Sequence, residues 1–172
     1  MAVLIRCGGY GERMTDFEPR ATFQMMGEFG CDFPLWYFGN MGRDTLALHP
    51  MLKSELAFWA GYFDNFAELS TSGEIVLQRG GDAPWYSERG RALAESVAEA
   101  LGPEFAIELD LSDSAPVTQF RSRCVAGTQD AARSAHELVD AKESRDARIQ
   151  ALKDSGKQLG WRGLRPPHDL ED

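Results

Sequence analysis

Between His49 and Leu69 the large apolar residues Leu52, Leu56, Trp59, Phe63 and Phe66 recur at steps of four, three, four and three. That spacing predicts a helix laying one face on a core. Phe58, Tyr62 and Leu69 widen the stripe, while Lys53, Asp64, Asn65 and Glu68 fall on the side expected to face water. Pro50 suits the first turn, where its missing N–H costs nothing, and His49 stands at the N-cap position. From Ala21 to Phe33 the period changes to two: Phe23, Met25, Phe29, Cys31 and Phe33 alternate with Thr22, Gln24, Glu28 and Asp32. This predicts a long strand with one wet face, bent or bulged at Gly27 and Gly30. Pro34 to Asn40 reads as an aromatic loop carrying Leu35, Trp36, Tyr37 and Phe38.

A second helix is expected from Glu88 to Leu101, capped by Ser87 and closed by Gly102 and Pro103, with Leu93, Val97 and Leu101 inward. Ile75 to Leu77 is a candidate short strand. Phe105, Ile107, Leu109 and Leu111 alternate with Ala106, Glu108 and Asp110, which predicts another half-exposed strand. Pro116 to Ala126 has no clear period. Thr128 caps an alanine-rich, charged helix reaching about Asp154, and the tail beyond Gly156 has the composition of a loosely ordered segment. The resulting class is α+β: a small antiparallel sheet with two helices on one face and a C-terminal helical extension. The expected division is a core over residues 1–113 and an extension over 114–172.

The chain has 172 residues, enough for one domain with an appendage, and a formal net charge of −9. The acidity is uneven: residues 1–113 carry 18 acids and 8 bases, residues 114–172 carry 9 acids and 10 bases. The core would therefore repel nucleic acid and steer basic partners. Cys7, Cys31 and Cys124 are odd in number and widely spaced, which argues against a disulfide framework and against a Cys-x-x-Cys zinc site. No apolar run approaches the roughly 20 residues of a membrane span, and the opening MAVLIRCGG lacks a signal-peptide pattern. A cytoplasmic protein is expected.

Gly-x-Ser-x-Gly, His-Glu-x-x-His, Cys-x-x-Cys, a complete phosphate loop and a calcium loop are missing from the sequence, and the spacing of its many carboxylates singles out no acid/base pair, so no cofactor, no metal ligand and no catalytic residue is assigned. One segment invites an enzymatic reading. Gly8-Gly9-Tyr10-Gly11-Glu12-Arg13-Met14 resembles the glycine-rich opening of sugar-nucleotide and molybdopterin-type nucleotidyltransferases, which implies phosphate cradling by backbone N–H groups. The competing expectation is that Met14 is the natural start and residues 1–13 a translated leader.

A broader resemblance runs from Thr22 to Leu111. Gly30-Cys31-Asp32-Phe33-Pro34-Leu35-Trp36 ends the first strand, a Leu-x-x-x-Leu-x-x-Trp helix follows, and Gly90-Arg91-Ala92-Leu93-Ala94 lies in the next helix. This order resembles small actinobacterial and proteobacterial immunity proteins of polymorphic toxin systems. The resemblance implies a non-enzymatic binder that occludes a cognate toxin domain, plausibly a basic nuclease, with no nucleic acid or membrane partner. The acidic and aromatic candidates for that contact are Glu28, Asp32, Trp36, Tyr37, Asp64 and Glu68. Two alternatives stand beside it: a nucleotide-binding transferase-like enzyme using residues 8–13, and a structural subunit that oligomerises through its C-terminal helix.

Overall fold

The computed structural model describes residues 2–4, 18–69, 75–77, 83–111 and 116–155. The glycine-rich residues 8–13, Met14, the tail with Trp161 and His168, and the connectors 70–74 and 78–82 lie outside the described residues.

Helix α1 (Pro50–Phe66) forms where the heptad-like stripe predicts it and buries Leu56, Trp59, Ala60 and Phe63. His49 does cap it: its Nδ1 accepts the Met51 N–H at 3.3 Å, and its carbonyl accepts the Lys53 N–H at 3.1 Å. Helix α2 (Ala83–Leu101) starts a turn earlier than expected. Ser87 is no cap; Pro84 sits in the first turn, where proline is preorganised for a helix, so Trp85 and Tyr86 become helical. That extra turn changes the core. Tyr86 stacks on Trp59 with ring centroids 4.4 Å apart and planes at 7°, and the Trp59 Nε1–H donates to the Tyr86 carbonyl at 2.9 Å. Such a pair adds about 0.5–1.5 kcal/mol beyond the area it buries.

The main sheet has five strands, β1 (Ala2–Leu4), β2 (Ala21–Met26), β3 (Leu35–Trp36), β6 (Phe105–Asp110) and β7 (Thr118–Arg121), in the order β1-β7-β6-β2-β3. β4 (Ala67–Leu69) and β5 (Ile75–Leu77) form a separate antiparallel pair. The α+β class is the one the hydrophobic pattern predicts. The pairing within the sheet differs: it is mixed, because β2 runs parallel to β6 and β1 parallel to β7. Alternation within a strand reports which face is wet and carries no information on the direction of its neighbour. β6 is the central strand, with Phe105, Ala106 and Ile107 all buried, and α2 lies along β6 and β7 while α1 packs on α2.

β2 is shorter than its alternating pattern. Phe23 and Met25 are fully buried as expected, but the strand stops at Met26. Gly27 explains the stop. A Cβ there would lie 2.5 Å from Phe63 Cγ and 2.8 Å from its Cβ, and nearer still to the Tyr86 hydroxyl. Only a bare backbone passes between α1 and α2 at that point. The chain then turns, and Phe29 is carried outward.

Helix α3 (Gln129–Asp154) has the bounds expected of it. Residues 1–136 and 137–172 form two compact units, and β7 lies within the first. Within that unit His136, which the sequence offers no partner, is held on both sides. Its Nδ1 faces Arg20 Nη1 at 2.7 Å, so it accepts, and its Nε2 lies 2.9 Å from a Glu104 carboxylate oxygen. Its ring also meets Phe105 edge-on at 4.9 Å. The residue ties the starts of β2, β6 and α3 together. Cys124 is disulfide-bonded and Cys31 is a free thiol. A disulfide was not expected from the cysteine spacing.

Candidate functional site

The loop from Gly27 to Pro34 brings three of the predicted contact residues together. The Glu28 carbonyl accepts the Cys31 N–H at 3.2 Å, and Gly30 takes a φ of +72°, as the third position of a type II turn requires. The Gly30 N–H donates to Asp64 Oδ1 at 2.9 Å, which fastens this turn to the last turn of α1. Glu28, Asp32 and Asp64 are all exposed, and all three act on the Cys31 thiol. Partial burial first, then the negative charges of Glu28, Asp32 and Asp64, push that thiol above its ordinary value. At the corner of the turn Phe29 is 44% exposed, with its ring 5.2 Å from the buried Phe63. This knuckle therefore gathers three exposed carboxylates about the Cys31 thiol and carries the exposed ring of Phe29 at its corner.

Glu28 and Asp32 do not line up with the outward acids of β6. β2 and β6 are neighbours, in a register that sets Gln24 beside Glu108 and Met26 beside Asp110, but Glu28 and Asp32 lie past the end of β2. Glu108 accepts from Gln119 Nε2 at 3.4 Å. Asp110 bears on the buried Tyr86, whose phenol is pushed well up, by burial first and by Asp110 second.

Trp36 and Tyr37 lie elsewhere, along the edge strand. Trp36 is half-buried in β3, and its indole Nε1 is enclosed without a hydrogen-bond partner among the described residues. Tyr37 is half-buried, 4.9 Å from Phe23 and 4.6 Å from Phe38 by ring centroids. The aromatic loop is a tight reversal. Trp36 bridges Asn40, the Met41 N–H donates to the Leu35 carbonyl at 2.9 Å, and the Asn40 side-chain amide donates to the Phe33 carbonyl at 2.8 Å. Phe38, at its tip, has a φ of +67° and is 60% exposed. The left-handed region costs a residue with a Cβ about 1–2 kcal/mol, so the loop holds this ring in water against local strain. Glu68 stands in β4, where only the backbone is described.

Sequence reasoning missed Phe29, Phe38 and a stripe on α1. Phe58, read as part of the core stripe, is 65% exposed, and Met51 is 67% exposed. Met51, Phe58 and Tyr62 recur at steps of seven and four, a second stripe beside the inner one, and this was legible in the spacing. Tyr62 packs on Trp85 at 4.6 Å and Phe58 meets Trp85 edge-on at 6.1 Å, so α2 completes that outer face.

Among the described residues, no group of three or more His, Cys, Asp or Glu is placed to hold a metal ion. No described helix is long and apolar enough to cross a membrane.

A family model described as Serratia CdiI immunity protein-like matches residues 21–110, just over half of the chain. No curated protein and no solved structure matches significantly. The matched stretch opens with β2, closes with β6 and contains the acidic knuckle, the aromatic loop and both packed helices. On that match, made over the segment where the sequence already resembled immunity proteins, the chain belongs to the Serratia CdiI immunity protein-like family.

Proposed function

We propose that this protein binds one cognate toxin domain and neutralises it by occlusion, without making or breaking bonds. Membership of an immunity-protein family supports the role. The observation that carries the mode of binding is the gathering of Glu28, Asp32 and Asp64 about Cys31 at one turn that also exposes Phe29. A rigid knuckle of that charge suits a basic, nuclease-like surface, because complementary fields raise the encounter rate and reject wrong partners. Trp36 and Tyr37, at the edge strand β3, and Glu68, in β4, are the further contacts proposed. The site of action is the cytoplasm of the cell that makes the toxin. The transferase-like alternative rests on residues 8–13, which lie outside the described residues.

The test begins with the reading frame directly upstream: a large secreted protein is expected there, and its C-terminal domain is the toxin to be tried. Co-expression is expected to protect cells from that domain, and the purified pair is expected to bind. Asp32→Lys and Glu68→Lys are expected to slow association about tenfold at low ionic strength and much less at physiological salt. Unchanged association for both variants would remove those residues from the interface, and absence of binding by the wild type would sink the reading.

A further inference from the structure

The chain has three cysteines, Cys7, Cys31 and Cys124. Cys124 is disulfide-bonded and Cys31 is a free thiol, which leaves Cys7 as the sulfur available to Cys124 within the chain. The sheet gives an independent reason for the same pair. β1 lies parallel to β7 in a register that sets Ala2 beside Gln119, Val3 beside Phe120 and Leu4 beside Arg121. Cys7 and Cys124 each stand three residues beyond the last of these pairs. Two chains leaving a parallel pair in step start about 4.8 Å apart, inside the roughly 4.4–6.8 Å between Cα atoms that a disulfide spans. Cys31 follows β2, and β6 separates β2 from β7.

We infer that Cys124 is bonded to Cys7, and that the bond is a redox-sensitive clasp holding the N-terminal strand on the edge of the sheet. The Cys124 side of the clasp is firmly placed. The buried Ser122 accepts the Cys124 N–H at 3.0 Å and donates to the Cys124 carbonyl at 3.3 Å. Just beyond, the Gly127 N–H donates to the Glu99 carbonyl near the end of α2 at 2.9 Å. β1 has much less to hold it. It is three residues long, it ends the sheet, and β7 is its only neighbour among the described residues. So short a ladder makes few hydrogen bonds against the entropy of ordering a chain end. A covalent link three residues further on removes most of that freedom. Closing the clasp needs an oxidant, and a small-molecule disulfide of the glutathione type supplies it. One cysteine thiolate attacks that disulfide, breaking its S–S bond and releasing one thiol. The second cysteine thiolate then displaces the other thiol as the Cys7 Sγ–Cys124 Sγ bond forms. The cysteine pair gives up two electrons and two protons, and the two released thiols take them up. In a thiol-rich compartment the exchange runs the other way, and β1 is left to its ladder alone.

The experiment holds the full chain in two glutathione buffers, one oxidising and one reducing. Free thiols are blocked with N-ethylmaleimide, and the protein is digested without reduction for mass spectrometry. The oxidised protein is expected to yield one linked species joining the Cys7 and Cys124 peptides, with Cys31 labelled. A link through Cys31, a Cys124–Cys124 link between two copies, or three labelled cysteines in the oxidising buffer overturns the pairing. Amide exchange of Ala2–Leu4 then tests the clasp. It is expected to be about tenfold faster in the reducing buffer, with exchange in β2 and β6 unchanged. Cys7→Ser is expected to exchange at the fast rate in both buffers. Exchange at Ala2–Leu4 within twofold in the two buffers overturns the clasp even where the linked peptide is found.

Discussion

Gly27 is the point at which the loop from Gly27 to Pro34 leaves the core, and replacing it with alanine tests that geometry. The backbone is no obstacle, because its φ is not among the positive values found at Gly30, Gly39 and Gly102. The obstacle is space. The added methyl would sit 2.5 Å from Phe63 Cγ and 2.8 Å from Phe63 Cβ, and closer still to the Tyr86 hydroxyl. Ordinary carbon–carbon contact is about 3.5–4.0 Å, so those atoms must retreat by roughly 1 Å. Neither has room: Phe63 and Tyr86 are each 2% exposed, and Tyr86 is stacked on the fully buried Trp59. Overpacking a core costs about 1–3 kcal/mol, and two pinned aromatics put this site at the upper end. Alanine recovers about 0.4–1 kcal/mol by restricting the unfolded chain. The net loss is therefore about 2–2.5 kcal/mol, or a melting point lower by roughly 4–10 °C. Urea titration followed by tryptophan fluorescence reads it as a lower midpoint with an unchanged slope. Gly61→Ala in α1 is the control: nothing lies within 4 Å of a Cβ there, so it is expected to stabilise by about 0.5–1 kcal/mol. A Gly27→Ala variant within about 0.5 kcal/mol of wild type would refute the close approach and the account of why β2 ends at Met26.

Other substitutions probe the same region. The Tyr86 hydroxyl is buried without a hydrogen-bond partner among the described residues, so Tyr86→Phe is expected to be neutral or to stabilise by about 1 kcal/mol in urea unfolding; a loss above that size would reveal a bonded hydroxyl. Phe38→Gly removes the left-handed strain and is expected to raise stability by a few tenths to about 1 kcal/mol while weakening toxin binding, and a less stable protein would count against the strain. Since burial, Glu28, Asp32 and Asp64 all raise the Cys31 pKa, less thiolate is present at pH 8 than in an ordinary thiol. Iodoacetamide labelling of Cys31, read by peptide mass spectrometry, is expected to be slow and to speed up in Glu28→Gln and Asp32→Asn. Equal rates in all three proteins would mean that the carboxylates do not converge.

What the sequence disclosed and what it hid divide along physical lines. Short-range periodicity reports the face of an element that meets the core, so the inner stripe of α1, the Leu93–Val97–Leu101 stripe of α2 and the buried positions of β2 and β6 were legible. The same spacing misplaced Phe58, because its position borders the core stripe and only packing from α2 decides whether it is covered. Pro34 was read as ending a strand, yet the strand had already ended at Met26, because the space left by Phe63 and Tyr86 fixes the turn at Gly27. β7 is four residues long, too short to show a period. Of the predicted contacts, Glu28 and Asp32 are held close by a turn at Gly30, where the sequence suggested a bulge or bend within a longer strand. The arrival of Asp64 beside them depends on a hydrogen bond spanning 34 positions, which no local pattern encodes.

The parallel contact between β2 and β6 has a consequence for how the molecule assembles. Ala21 pairs with Phe105 and Met26 with Asp110, so the middle of the sheet closes a stretch of more than eighty residues that includes both packed helices. No hairpin nucleates that junction. Its loop-closure entropy must be met before the contacts reward it, which predicts slow, strongly cooperative folding. The knuckle of Glu28, Phe29, Asp32 and Asp64 lies inside that closed stretch. Under the proposed function, a chain that has not yet joined these two strands has no partial face to offer, so binding is expected to emerge in a single step with the fold.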